Sequence, residues 1–384
     1  MIISEDRLNE IVCNIAKNIG LQSWRYESQE KEDNIENYFG ILIPLTLMGT
    51  IKTNEIKINI YLKVPVIDAP SRWTEVFNNI YACEAFFYGT IIPMYKSLSN
   101  FGEIDEFIPE CYFTDATPGK QVIALKNMTF NGFRTYQVQK FLDFDHTISA
   151  LKALAKFHAF WVILEKKGKA PSCKLLRPHT NTYPAEYNMR LKIALLNDTK
   201  YFHGSKYENY IRSLLNNFDQ IRVESTTKAK RLVYGHGDYW KENILFKSKD
   251  GEPIQACMLD FQNSRLISPA QDFLSFLLYS HSSPSRHQNF DNFISVYLEQ
   301  FNCILLENNT EVQTYNDEFK HDLKIVAEDC VITSFMAFAL WLGLEGETLI
   351  KRKYELDRSE SITHFINIVN NILDDLSNLG YISI

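Results

Sequence analysis

The sequence predicts an α+β protein of two lobes: a small antiparallel sheet carrying one key helix, then a larger, mostly helical half, with the site in the cleft between them. Three observations predict this. The clearest strand alternation lies early, at Ile56–Val64. Helical apolar spacing takes over near His146 and recurs almost to the end. Between the later helical stretches, Tyr234 to Tyr279 alternates short apolar runs with clustered polar side chains, the pattern of a site held on loops. The lobes are expected to be 1–128 and 129–384.

Composition bounds the function classes. With 384 residues, 45% hydrophobic and 23% charged, the chain has ample material for two or three domain-sized cores. A formal charge of −7 and a pI near 5.8 argue against a general nucleic-acid binder. No block of like charge marks an anionic membrane surface as a partner. Seven scattered cysteines without a Cys-x-x-Cys pair disfavour zinc sites and a disulfide framework, and fit a reducing compartment. The acidic start Met-Ile-Ile-Ser-Glu-Asp lacks a signal peptide's basic region. The most apolar tract, Val331–Leu344, is short of the roughly 20 residues that span a bilayer and reads as a buried helix. A cytoplasmic protein with no nucleic-acid, membrane or obligate protein partner is expected.

In chain order, Ser4 caps a first helix (Leu8, Ile11, Val12, Ile15, Ala16) that ends at Gly20. A polar stretch, Glu27–Asn37, precedes a strand at Ile41–Leu47, which Pro44 should confine to an edge or a bulge. After a turn at Thr53-Asn54, Ile56, Ile58, Ile60, Leu62 and Val64 share one strand face, and Lys63 points to the other. A helix over Thr74–Tyr88 places Glu84 on its apolar stripe, where an unpaired carboxylate is costly to bury; Lys63 is the obvious partner. Strands at Glu110–Thr114 and Gln121–Leu125 flank a Pro118-Gly119 turn, and Lys126–Arg134 suits the hinge. Helices follow from His146, around Tyr207–Ile221, and at Phe290–Phe301, Asp317–Gly343 and Ile362–Leu379. Only the hairpin about Asp250-Gly251 is expected to interrupt them.

The chemistry lies in three words: His236-Gly237-Asp238-Tyr-Trp240-Lys-Glu-Asn243, then Leu-Asp260-Phe-Gln262, then Ser268-Pro-Ala-Gln-Asp272. Phosphoryl transfer from ATP needs a carboxylate at the attacking hydroxyl, plus an amide oxygen and a second carboxylate for magnesium. Asp238, Asn243 and Asp260 supply these in that chain order. His236 reads as a structural residue of the loop rather than a base, His158 as a core histidine, and Arg265 as either a substrate contact or a salt-bridge residue. Phosphate-loop, nucleophile-elbow and zinc-helix motifs are all missing.

These words resemble the ecdysteroid kinase-like family, a branch of the aminoglycoside- and choline-kinase-type phosphotransferases with the protein-kinase-like fold. Weaker echoes are Leu62-Lys63-Val-Pro65, Glu84-Ala-Phe-Phe-Tyr88 and Leu154-Ala-Lys-Phe-His158. The resemblance implies Lys63 on the nucleotide phosphates, Glu84 as its orienting partner, Asp238 as base, Asn243 and Asp260 as magnesium ligands, and Asp272 as a brace of the loop. It also implies ATP contacts at Gly40 of the phosphate-covering segment Asp33–Gly40, and at Asn127 and Met128 of the hinge. That segment holds a single glycine where the pattern has more. Asp272 follows Asp260 by only 12 positions, too few for a long activation segment, and Gly237 replaces the arginine that such a segment would pair with. The acceptor is therefore expected to be a small molecule, and the resemblance implies a hydroxylated one, an ecdysteroid or a xenobiotic. For a choline- or aminoglycoside-type acceptor, Glu186, Asp317, Glu318 and Asp329 are the candidate carboxylates.

Overall fold

The computed structural model describes residues 3–28, 35–37, 40–66, 74–98, 104–171, 185–310, 315–344 and 357–384. Helix α1 (Glu5–Ile19) is capped by the Ser4 hydroxyl, which accepts from the Arg7 amide, and ends at Gly20 with φ 82°. It buries Ile11, Val12, Ile15 and Ala16, as its periodicity predicts.

An antiparallel sheet follows: β1 (Ser23–Ser28), β3 (Gly40–Ile51), β4 (Asn54–Val64), β6 (Val122–Lys126) and β5 (Cys111–Asp115), in that spatial order. Strand β2 (Ile35–Asn37) pairs with the start of β3. The Pro44 strand is thus interior and longer than its apolar run, not an edge. Proline is tolerated because β1 pairs with Leu45–Thr50 and β2 with Gly40–Leu42, so Pro44 falls between the two partners on that flank.

The sheet is covered on both faces. Ile60, Leu62 and Val64 of β4 pack with α1, together with Leu45, Leu47, Val122 and Ala124. Ile123, between the last two, belongs instead to the large core that includes α2 (Thr74–Phe86). Lys63 lies on this second face. The α2 helix runs on, through a π-helical turn at Phe87–Ile91, into α3 (Ile92–Lys96), and a short α4 (Ile104–Phe107) follows.

The connection to the helical half begins at Asn127, whose side chain caps a 3₁₀ turn, Met128–Asn131, by accepting from the Thr129 amide at 3.0 Å. Strand β7 (Phe133–Thr135) then joins the hairpin β9 (Ile244–Lys249) and β10 (Glu252–Met258), which reverses at Asp250 (φ 55°) and Gly251 (φ 90°). A further pair, β8 (Val233–Gly235) with β11 (Arg265–Ile267), brackets the polar loops. The hairpin is therefore not alone among the helices; three-residue strands carry too little alternation to be read from sequence.

The helices are α5 (Phe144–Lys166), α6 (Ala185–Asp198), α7 (Glu208–Asn216), α8 (Phe218–Thr227), α9 (Pro269–Ser280), α10 (Ser283–Glu307), α11 (Tyr315–Trp341) and α12 (Arg358–Asn378). Among the described residues α5 alone is long and apolar enough to cross a membrane; most of its apolar stretch is buried in the core, packed on α10 and β10. Two buried carboxylates tie α11 to the polar loops. Asp322 accepts from the Lys230 amide (2.8 Å) and from Ser268 Oγ (2.9 Å). Asp329 pairs with Arg222 and accepts from Gln271 Nε2 at 2.7 Å.

Because the α1–sheet core is separate from the large one, Leu47→Ala is expected to loosen the small lobe selectively, at a cost of about 2–5 kcal/mol. Hydrogen exchange should show protection lost in α1, β3 and β4 but kept in α5 and α10.

Candidate active site

Lys63 is held where three segments meet. Its Nζ lies 2.7 Å from Glu84 Oε2 on α2 and 2.5 Å from Asp260 Oδ1 just beyond β10, with Gln262 Oε1 at 3.5 Å. All three charged groups are buried. Burial alone would push the lysine down, but the charges of Asp260 and Glu84 outweigh it and hold the ammonium well above its ordinary value. Burial pushes Glu84 up against the pull of the same lysine. The pairing read from Glu84's place on an apolar stripe is thus present, with Asp260 as a second partner.

The loop after β8 is held by its main chain. Asp272, in the first turn of α9, accepts from the His236 amide at 2.6 Å and the Gly237 amide at 2.8 Å. It also lies 3.1 Å from His158 Nε2, while His158 Nδ1 meets the Tyr297 hydroxyl at 2.8 Å. With Nε2 donating to the carboxylate and Nδ1 accepting from tyrosine, both ring nitrogens are used. Burial opposes the charge on Asp272, yet these donors hold it below the usual carboxylate range. His158 is a core histidine, as expected, and also a partner of this brace. His236 sets its Nε2 2.8 Å from the Leu259 carbonyl and takes the Asp238 amide on Nδ1 at 3.3 Å; burial lowers its pKa, so it stays neutral.

These anchors aim the acidic side chains. Asn243 spends its amide donor on the Asp238 carbonyl (2.9 Å) and lies 3.4 Å from Asp238 Oδ2, so Oδ1 is its remaining acceptor. Asp260 adopts φ 66°, a left-handed conformation unfavourable for a non-glycine residue. Phe261 fixes that kink by stacking on Phe87, ring centres 3.8 Å apart, with the His236 ring at 4.7 Å. Burial, then the neighbouring Asp260, raises the Asp238 carboxyl to about 7.

Asp238, Asn243 and Asp260 open on one cavity. The same cavity is also lined by apolar and aromatic side chains: Trp240, Tyr279, Met336, Phe338, Leu340 and Trp341. The tract Val331–Leu344, read as a buried helix, thus supplies part of a pocket wall at the end of α11. Sequence alone does not distinguish the two, since both bury apolar side chains.

The other expected residues are spread out. Gly40 packs against Tyr81 and the end of β4; a Cβ there would come within 2.9 Å of the Tyr81 hydroxyl and 3.5 Å of Lys63 Cγ. The rest of the Asp33–Gly40 segment is described only at 35–37. Asn127 caps the connecting turn, and Met128 is buried against Phe133 and Leu245, so neither lines the cavity. Of the carboxylates proposed for a cationic acceptor, Asp329 is paired with Arg222 and Glu318 with Arg231 (2.8 Å). Asp317 is exposed outside the cavity, and the Glu186 side chain lies outside the described residues.

Residues 34–309 match the family model described as the ecdysteroid kinase-like family. The chain belongs to that family. No curated protein matches it in sequence. In structure it resembles a choline kinase from Cryptosporidium parvum, at 12% identity and a TM-score of 0.50, over 97% of this chain and 98% of that one. It is also similar to a choline kinase from Streptococcus pneumoniae (10%, TM-score 0.42, 96% and 100% covered). Wild-type aminoglycoside 2'-phosphotransferase-IIIa in its GDP complex gives 12% identity and a TM-score of 0.43, with 98% and 99% covered. The likeness to the Cryptosporidium choline kinase shows the protein-kinase-like, two-lobed fold predicted from the sequence.

Two measurements probe the anchors. Asp272→Asn places an amide group among donors and should cost on the order of 3–5 kcal/mol, read as a lower denaturation midpoint. Asp272 is depressed in the folded state, so its own contribution holds above the ordinary carboxylate pKa and fades as pH falls through the folded value. Asp238 has the opposite sign. Its folded pKa, about 7, exceeds the unfolded one, so stability falls as pH rises towards 7. Asp238→Asn should therefore melt higher than the parent at pH 8 and lose that advantage at pH 4; equal melting at pH 8 would contradict it.

Proposed function

We propose that this protein is an ATP- and magnesium-dependent phosphotransferase that acts on a hydroxyl group of an apolar small molecule. An ecdysteroid or a related polyhydroxylated or xenobiotic compound is the acceptor favoured. The carrying observation is that one cavity is lined both by Asp238, Asn243 and Asp260 and by the aromatic side chains of Trp240, Tyr279, Phe338 and Trp341. Membership of a kinase-like family supports the reaction class.

Each residue has a part in this reading. Lys63, oriented by Glu84, holds the donor phosphates, with Gly40 beside it; Asn127 and Met128 border the nucleotide from the hinge. Asp238 orients the acceptor hydroxyl and takes its proton, and a carboxyl poised near neutral pH suits that exchange. The oxygen donors Asn243 Oδ1 and Asp260 fit a hard cation, which keeps several waters and takes its remaining ligands from phosphate. Magnesium bound there would neutralise charge on the transferring group. Asp272 and His236 keep Asp238 in register through the loop's main chain. The apolar wall excludes water and seats the rest of the acceptor.

A cationic acceptor would need converging carboxylates or a free aromatic cage. The three carboxylates that line the cavity, Asp238, Asp260 and Asp272, are taken up in this reading by the hydroxyl, the metal and the loop; Asp329 and Glu318 are paired outside the cavity, and the Lys140 ammonium lies 5.3 Å over the Trp341 ring. The apolar neutral acceptor is accordingly preferred to choline or an aminoglycoside.

ATP consumption should be tested across ecdysteroids, choline, aminoglycosides and plant glucosides. Turnover is expected with apolar polyols and lost on chelation of magnesium. Asp238→Asn should lower kcat by about 10²–10⁴. No turnover with any acceptor, or a fully active mutant, would sink the kinase reading.

A further inference from the structure

Among the residues lining the cavity, three carry carboxylates (Asp238, Asp260 and Asp272), and Arg265 is the single cation. The excess is awkward for a phosphotransferase. As the bond from the γ-phosphorus to the β–γ bridging oxygen breaks, a bond to the acceptor oxygen forms. The hydroxyl proton passes to Asp238 and ADP departs. A phosphomonoester with a charge of about −1.5 to −2 is then left on the acceptor side. Lys63 does not line that side; its ammonium is committed between Glu84 and Asp260.

Arg265 is built into the right place. It opens β11, paired opposite Gly235 of β8, and is buried. Its Nη1 donates to the Asn263 carbonyl at 2.8 Å, which fixes the plane of the guanidinium. The same nitrogen lies against Gly237, where a Cβ would collide with it and with the Asn263 carbonyl. Gly237, at φ 77°, thus leaves room for the guanidinium directly before Asp238 in the chain. The arginine's charge reaches Asp238, working against the rise that burial imposes.

We infer that Arg265 is a catalytic residue of the acceptor side, which grips the phosphoryl group as it moves from ATP and holds the phosphorylated product until release. The inference rests on the phosphotransferase reading for its chemistry, but its anion site can be tested without turnover. A guanidinium offers two parallel donors to phosphate oxygens, and the cavity's apolar wall keeps water from competing for them.

The probe is 2-naphthyl phosphate against 2-naphthol, titrated calorimetrically into the nucleotide-free full chain. The parent protein should bind the phosphate ester at least tenfold more tightly than the alcohol. Arg265→Gln should abolish that preference with 2-naphthol affinity unchanged, and Arg265→Lys should keep part of it. A parent protein without the preference, or an Arg265→Gln variant that keeps it, overturns the inference. Equal loss of both ligands in the two variants, with lowered melting, would make Arg265 only a brace of the loop and overturn it too. In turnover, Arg265→Gln should lower kcat about 10²-fold with the KM for ATP unchanged. If the parent transfers no phosphate to any acceptor, the kinase reading fails while the binding comparison still decides the anion site.

Discussion

The structure turns on one buried ammonium between two carboxylates. Lys63, Glu84 and Asp260 come from β4, α2 and the segment after β10, and each is almost out of water. Three such charges are expensive to desolvate, and the arrangement holds only because each compensates another. Loss of Lys63 would leave two buried carboxylates facing each other without a cation. The sheet, its helix and the far side of the cleft are therefore fastened together electrostatically, and Asp260 is held in a conformation its backbone would otherwise avoid.

A second constraint fixes the loop across from it. Asp272 spends its oxygens on main-chain amides of His236 and Gly237 and on His158, which is itself met by Tyr297, whose hydroxyl lies 3.1 Å from that of Tyr315. This chain of polar groups crosses α9, α5, α10 and α11 through otherwise apolar packing. Buried polar groups with their partners in place define one geometry, whereas apolar contacts alone tolerate several. The loop next to Asp238 is consequently positioned by the deep core as well as by its own sequence.

Much of this was legible because it rests on local pattern. Strict alternation in β4 placed Lys63 opposite the apolar face, and the awkwardness of Glu84 on a helical stripe named its partner. The order Asp238, Asn243, Asp260 placed three residues on one cavity. What escaped depends on tertiary context. Pro44 sits in an interior strand because its flank changes partner there, which no composition reveals. Strands β7, β8 and β11 are too short for a period. Strand β2 lies within the polar stretch before β3 and β1 mostly ahead of it, and both take their hydrogen bonds from β3. His158 looked like any core histidine, since nothing on α5 announces a carboxylate 114 positions later in the chain. The end of α11 read as core because a pocket wall and a core face use the same side chains.

Helix α11 divides its work along its length. Asp322 and Asp329 clamp it, near its start and middle, to the segments that carry the polar loops, while Thr333 to Trp341 face the cavity. Substitutions at Met336, Ala337, Leu340 or Trp341 can reshape the slot by a methylene or a ring without reaching the clamps, and effects at separated sites tend to add. Such a helix lets the shape of the cavity change while the loops on which its acidic side chains sit stay fixed. The last two turns of α11 are thus the part of the cavity lining that can change shape with least effect on the loops that carry Asp238, Asn243 and Asp260.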